Sequence, residues 1–336
     1  MDRKLILHAG LHKTGTTSIQ KTCATNRKIL QGENFVYPMI NWDQSKGRSS
    51  AENHSRLISN LFEEGHKVAM FREEMAKIFG KDLIKKLLLV AELTSRLSKV
   101  ELNDLKSYFE KLGYQIAVHC YIRKPVEWVN SLVAQKIAGQ YGPLLPLDAA
   151  VNQLVHGKSL IRMRVNNLAD VFEEFNVHSY KEAATHDSGV VGHFMDAIDL
   201  RSKAIKIAKP ENIGKSDHST RIISLINNMV GHRKKSPEAA KFHAFLREQV
   251  PALFEIPGER FHLRLQEAAE LIPILEEDNQ WLQTEYGELF ANDEISFSDT
   301  PILLEDQAIE HLEKIAAEAG PRIKKIIAQY IDKHKV

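Results

Sequence analysis

The stretch Leu5-Ile6-Leu7-His8-Ala9-Gly10-Leu11-His12-Lys13-Thr14-Gly15-Thr16-Thr17-Ser18-Ile19-Gln20 decides the fold. The apolar run from Lys4 to Ala9 stops at Gly10, the pattern of a strand buried in a parallel sheet. A helix is expected from Thr16 to Gln31, with Ile19, Cys23, Ile29 and Leu30 on its inner face. Strand, glycine-bounded loop and helix make the first unit of an α/β fold.

The loop between them has the makings of an anion cradle. Two glycines let the backbone curl so that several N–H groups face one anion. The helix start adds its positive dipole end. The hydroxyls of Thr14, Thr16, Thr17 and Ser18 can donate to phosphate oxygens. Against the pattern G-x-x-x-x-G-K-[ST], Gly10, Gly15 and Thr17 fit, but Thr16 stands where the lysine belongs. That lysine reaches the β- and γ-phosphates of a nucleoside triphosphate, and the next hydroxyl holds Mg²⁺. Its absence weakens a magnesium–triphosphate reading. Lys13, three places earlier, suits a group that bridges a 5′-phosphate and its substituent. The plain alternative is a Gly-Thr-rich turn without a ligand.

Outward from the loop, strands and helices alternate. Asn34–Pro38 reads as a short strand, and Asn41–Asn53 as a long polar loop. Helices are expected over Ser55–Glu64 and Arg72–Lys85, a strand over Leu87–Ala91, and a helix over Glu101–Leu112 ending at Gly113. Gln115–Ile122 reads as a third buried strand, followed by a helix from Pro125 to about Gln140. Val177–Tyr180 adds another strand. Beyond about residue 200 the pattern is almost wholly helical, punctuated by Pro237, Pro251, Pro257 and Pro273. The expectation is an α/β core over 1–205, a parallel sheet flanked by helices, with a mainly helical region over 206–336.

Two further positions converge on the loop. Arg123 closes the third strand, where open α/β sheets bind ligands, and Ser131 follows about one and a half turns into the next helix. Together they can hold one anion, the arginine by paired N–H groups and the serine by its hydroxyl. Glu92 ends the Leu87–Ala91 strand and offers a carboxylate base. His54, after the long polar loop, is a weaker candidate on the substrate side. Simpler roles are open for each: Arg123 paired with Glu127, Glu92 capping its segment or paired with Arg96, and His54 solvated or capping a helix.

His12-Lys13-Thr14-Gly15-Thr16-Thr17-Ser18-Ile19-Gln20 resembles the 5′-phosphosulfate loop of sulfotransferases that use 3′-phosphoadenosine 5′-phosphosulfate (PAPS), and is most similar to their bacterial branch. Arg123 with Ser131 resembles that family's 3′-phosphate site. The resemblance implies a sheet-and-helix fold related to P-loop kinases. It implies PAPS as sulfate donor, with His12 to Ser18 on the 5′ side and Arg123 and Ser131 on the 3′ side. Lys13 and Glu92 would be catalytic, and no metal would be needed. The acceptor would be a hydroxyl, with a glycan or glycolipid as the leading choice. The bacterial branch often carries two serines before the glutamate, and this chain has Val90-Ala91 instead. The rivals are a P-loop kinase using ATP and Mg²⁺, and a non-catalytic nucleotide-binding protein.

Bulk properties bound the remainder. The 336 residues carry a formal net charge of +1, so no global field favours nucleic acid or an anionic membrane. Two cysteines, Cys23 and Cys120, make no disulfide framework. There is no apolar run of about 18 residues to span a membrane, and Leu5–Leu7 is too short for a signal-peptide core. The chain is expected in the cytoplasm. Among its 15 histidines no HExxH pattern occurs, so a metal site is not expected.

Overall fold

The computed structural model describes residues 3–39, 54–61, 66–81, 83–138, 145–157, 161–200, 204–208, 215–230, 251–290, 294–300 and 302–335. The polar segment Asn41–Asn53 lies outside them. A five-stranded sheet is present, in the order β2-β3-β1-β4-β5. Its strands are β1 (Arg3–His8), β2 (Phe35–Val36), β3 (Lys86–Val90), β4 (Tyr114–Ile122) and β5 (Glu174–Ser179). Every pairing is parallel. Each crossover must therefore carry the chain back to the other end of the sheet, and helices do so.

The helices up to residue 230 are α1 (Thr16–Thr25), α2 (Arg27–Gly32), α3 (Ser55–Asn60), α4 (His66–Phe79), α5 (Lys99–Lys111), α6 (Pro125–Ala138), α7 (Leu147–Val155), α8 (Arg162–Ala169), α9 (Tyr180–Thr185), α10 (Gly189–Ala197) and α11 (Asp217–Val230). The expected Thr16–Gln31 helix is thus broken at Asn26. There the backbone leaves the helical range (φ −100°, ψ 17°), and the side chain is taken elsewhere. Asn26 Nδ2 donates to the Thr22 and Lys206 carbonyls at 2.7 and 2.8 Å, and its Oδ1 accepts from Lys206 N at 2.9 Å. An asparagine that bonds main chain from both ends of its amide competes with the helix ladder. The Arg72–Lys85 expectation is also shifted, since α4 starts at His66 and stops at Phe79. α5 starts where a reciprocal Ser98–Glu101 capping box satisfies its first donors. It ends before Gly113, whose φ of 80° suits only glycine without strain.

The chain forms two compact units: 1–124 with 161–211 and 281–292, and 125–160 with 212–280 and 293–336. The boundary expected at 205 falls inside the first of these.

In the first unit, strand alternation sends Ile6, Leu88, Val90 and Tyr121 into one core cluster with Ile19 and Cys23 of α1 and Val191, Phe194 and Met195 of α10. Leu5, Leu7, Leu87 and Leu89, the alternate residues, are also fully buried. Both cysteines are buried and unpaired with each other, and burial raises both thiols above the ordinary range.

The second unit is helical. Trp128, Val129, Val133 and Ile137 are the buried side of α6. Asn227 of α11 donates to the carbonyls of Ile137 and Leu145, at 2.9 and 3.0 Å. Arg221 joins Asp217 to Glu267 at 2.7 and 2.6 Å. No named strand occurs after residue 179 among the described residues. No helix among them is long and apolar enough to cross a membrane.

Candidate functional site

Because β1, β3 and β4 are parallel neighbours, their C-terminal ends open on one edge. His8 is in register with Val90 of β3 and His119 of β4. The loop after β1, the turn after β3 and Arg123 after β4 therefore emerge side by side. β1 is the central strand, with β3 to one side and β4 to the other. This is the crevice where open α/β sheets bind ligands.

The loop is held from below. Ala9 N donates to His119 O at 3.0 Å, extending β1 beside β4. Gly10 N donates to His8 Nδ1 at 3.3 Å. A Cβ on Gly10 would sit 2.5 Å from His8 Cε1 and 2.9 Å from Thr14 Oγ1. Lys13 and Gly15 both take left-handed backbone, at φ 70° and 80°. A Cβ on Gly15 would lie 2.5 Å from Val190 Cγ1 of α10. Both glycines are therefore required by space, and Gly15 also by conformation.

The hydroxyls divide by role. Thr14 is fully buried and its Oγ1 donates inward to Leu11 O at 2.6 Å, so it braces the loop. Thr16 Oγ1 is buried and has no hydrogen-bond partner. Thr17 and Ser18 are half-buried. α1 has Gly15 at its N-cap, no side-chain cap and no acidic residue in its first turn. Ser18 N donates to Gly15 O at 3.0 Å, and the N–H groups of Thr16 and Thr17 ahead of it point out of the helix start, where an external acceptor can take them. An orphaned hydroxyl, an uncapped helix start and a glycine-bounded curl fit a phosphate group.

Charge gathers around this loop. Burial lowers the Lys13 ammonium below the ordinary lysine value, Glu92 opposes that shift, and Arg123 adds to it. The Lys13 ammonium therefore feels both the Glu92 carboxylate and the Arg123 guanidinium. Arg123 is half-buried, with its guanidinium carbon 5.3 Å from the Tyr180 ring centre. Glu92 opens a short 3₁₀ turn, Glu92–Arg96, after β3. Its Oε1 meets His12 Nδ1, a pairing that the sequence reading missed. The signal was the adjacency of β1 and β3, which only the strand order reveals.

His54 is buried, and both of its ring nitrogens face main chain. Nδ1 accepts from Val90 N at 2.9 Å and Nε2 donates to Pro38 O at 2.8 Å. Burial takes its pKa down to about 4, so the ring is neutral at pH 7. Ser131 is half-buried at the seventh position of α6, in the second unit, whereas Arg123 belongs to the first.

A histidine group lies beneath the loop, also unread in the sequence. His8 stacks on Tyr121 at 5.4 Å, Tyr121 stacks on His178 at 4.7 Å, and His119 Nδ1 lies 3.0 Å from His178 Nε2. Tyr121 Oη is 2.8 Å from His193 Nδ1. Burial depresses His8, His119 and His178 to about 3, 4 and 3. Among the described residues, no group of three or more His, Cys, Asp or Glu is placed to hold a metal ion.

No family model matches the chain, and no curated protein matches it. Two solved structures are similar in part. One is a sulfotransferase from Alicyclobacillus acidocaldarius, at 13% identity over 75% of this chain and 99% of that one, with a TM-score of 0.38. The other is a structure of the PezAT chromosomal toxin–antitoxin system of Streptococcus pneumoniae, at 15% identity over 72% and 88%, with a TM-score of 0.26. Both scores are too low to carry an argument about this chain.

Proposed function

We propose that the chain is a sulfotransferase that moves a sulfuryl group from PAPS to an acceptor hydroxyl. The supporting observation is the loop from Gly10 to Ser18, shaped for a phosphate by its two sterically required glycines, its uncapped helix start and the orphaned Thr16 hydroxyl, with a Lys13 ammonium that feels both Glu92 and Arg123. When bound, PAPS supplies a sulfuryl group whose bond to the 5′-phosphate oxygen breaks.

The chain's own residues do the rest by position and charge. The loop N–H groups, Thr16, Thr17 and Ser18 hold the 5′-phosphate, and Thr14 and Gly15 keep the loop in shape. Lys13 offsets charge that develops on the leaving oxygen. Arg123 holds the 3′-phosphate. Glu92 takes the acceptor's proton as the acceptor oxygen bonds to sulfur. His54 acts by fixing Val90, two residues before Glu92. No metal enters this scheme. The acceptor class is a glycan or glycolipid hydroxyl, and the site of action is the cytoplasm.

The test is transfer of labelled sulfate from PAPS to a panel of glycans and glycolipids in EDTA. Label on an acceptor, lost in Lys13→Ala, supports the reading. No transfer from PAPS, with ATP consumed on addition of Mg²⁺, overturns it.

A further inference from the structure

Glu92 and His12 reach each other from two different connections, His12 from the loop after β1 and Glu92 from the turn after β3. Their side chains are only 14% and 17% exposed. A carboxylate enclosed to that degree is costly to leave unpaired.

The main chain around Glu92 is fixed independently of this contact. Val90 N donates to His54, and Val90 O accepts from Gln20 Nε2 at 3.2 Å. Ala91 N donates to His8 O at 3.0 Å. Leu93 N donates to Ser55 Oγ at 3.1 Å. With the backbone anchored on both sides, the freedom left to Glu92 is rotation of its side chain. The His12 contact removes that freedom.

We propose that His12 is a positioning residue for Glu92. Its Nδ1–H donates to Oε1, which leaves the other carboxylate oxygen for the acceptor's proton. The inference rests on the function proposed above. It assigns two neighbouring residues of one loop to the two ends of the transfer. Lys13 serves the leaving oxygen, and His12 serves the acceptor through Glu92. The base is then aimed only while the loop holds its anion-binding shape, so a distorted loop leaves Glu92 unaimed. The logic is that of an orienting partner behind a general base, with the carboxylate as base and the imidazole as partner.

The experiment uses the full chain and two readouts. One is the Kd of adenosine 3′,5′-bisphosphate by calorimetry. The other is the rate of sulfate release from PAPS with water as the acceptor. His12→Leu is expected to slow release about 10- to 10²-fold and to leave Kd within about threefold, because positioning is felt in the reaction step. Glu92→Gln should behave likewise. The double variant should be no slower than the slower single variant, since the two act as a unit. His12→Asn, whose amide can donate from the Nδ1 position, should recover most of the rate. The inference is overturned if His12→Leu weakens Kd tenfold or more with little change in the saturated rate, which would make His12 a donor contact. It is equally overturned if the effects of the two single variants multiply. A wild-type chain that neither binds the bisphosphate nor releases sulfate removes the proposed function itself, and the inference with it.

Discussion

His54 Nδ1 accepts a hydrogen bond from Val90 N–H at 2.9 Å, and its Nε2 donates to Pro38 O at 2.8 Å. One buried ring thus ties the end of β3 to the segment after β2, two residues before Glu92. His54→Leu strands a buried N–H and a buried carbonyl, each worth about 1–3 kcal/mol when left unsatisfied. We predict a loss of about 2–4 kcal/mol in urea unfolding. Unchanged stability would show that His54 does not serve as this strap.

Stability should fall in acid. His8, His54, His119 and His178 have folded pKa values of about 3, 4, 4 and 3, against an ordinary value of 6.5. As pH falls, the unfolded chain therefore binds protons first. The contribution is fully present above about pH 6.5 and is lost as pH drops toward 4 and 3. The hydrogen-bonded His119–His178 pair counts as one coupled unit. Each independent site adds a slope of up to about 1.4 kcal/mol per pH unit. Urea midpoints should therefore drop steeply between pH 6.5 and 4.5, and flat midpoints over that window would contradict neutral burial.

Gly15→Ala places a Cβ 2.5 Å from Val190 Cγ1 on a residue at φ 80°. Loss of about 1–3 kcal/mol is expected from strain and overpacking. Binding of adenosine 3′,5′-bisphosphate should weaken at least tenfold, because the loop must shift. Gly32→Ala, where a Cβ would meet nothing within 4 Å, serves as the control and should leave binding unchanged.

Lys13→Ala should lower kcat about 10²-fold or more, by analogy with loss of one oxyanion donor. Because its role grows with charge on the leaving oxygen, KM for PAPS should change less than kcat. Retention of full kcat would remove Lys13 from the reaction step.

The α/β core was largely legible because buried parallel strands read as short apolar runs. Lys4–Ala9, Leu87–Ala91 and Gln115–Ile122 became β1, β3 and β4 with no end moved by more than one residue. The loop was legible because glycine spacing and hydroxyl content are local. What escaped were features that depend on which strands are neighbours. The His12–Glu92 pairing needs β1 beside β3. The His8, Tyr121, His178 and His119 stack needs β1 beside β4 and β4 beside β5. The break at Asn26 depends on Lys206, 180 residues away, and no helical period records that.

The central claim is that the loop and Arg123 hold a nucleotide carrying phosphates at both its 5′ and 3′ positions. The most direct measurement is calorimetric titration of the full chain with adenosine 3′,5′-bisphosphate and, separately, with ATP plus Mg²⁺, repeated on Arg123→Ala. Micromolar binding of the bisphosphate, weaker binding of ATP, and a loss of at least tenfold for the bisphosphate in the variant are expected. Failure to bind the bisphosphate, or a preference for ATP with Mg²⁺ that survives Arg123→Ala, would contradict that claim.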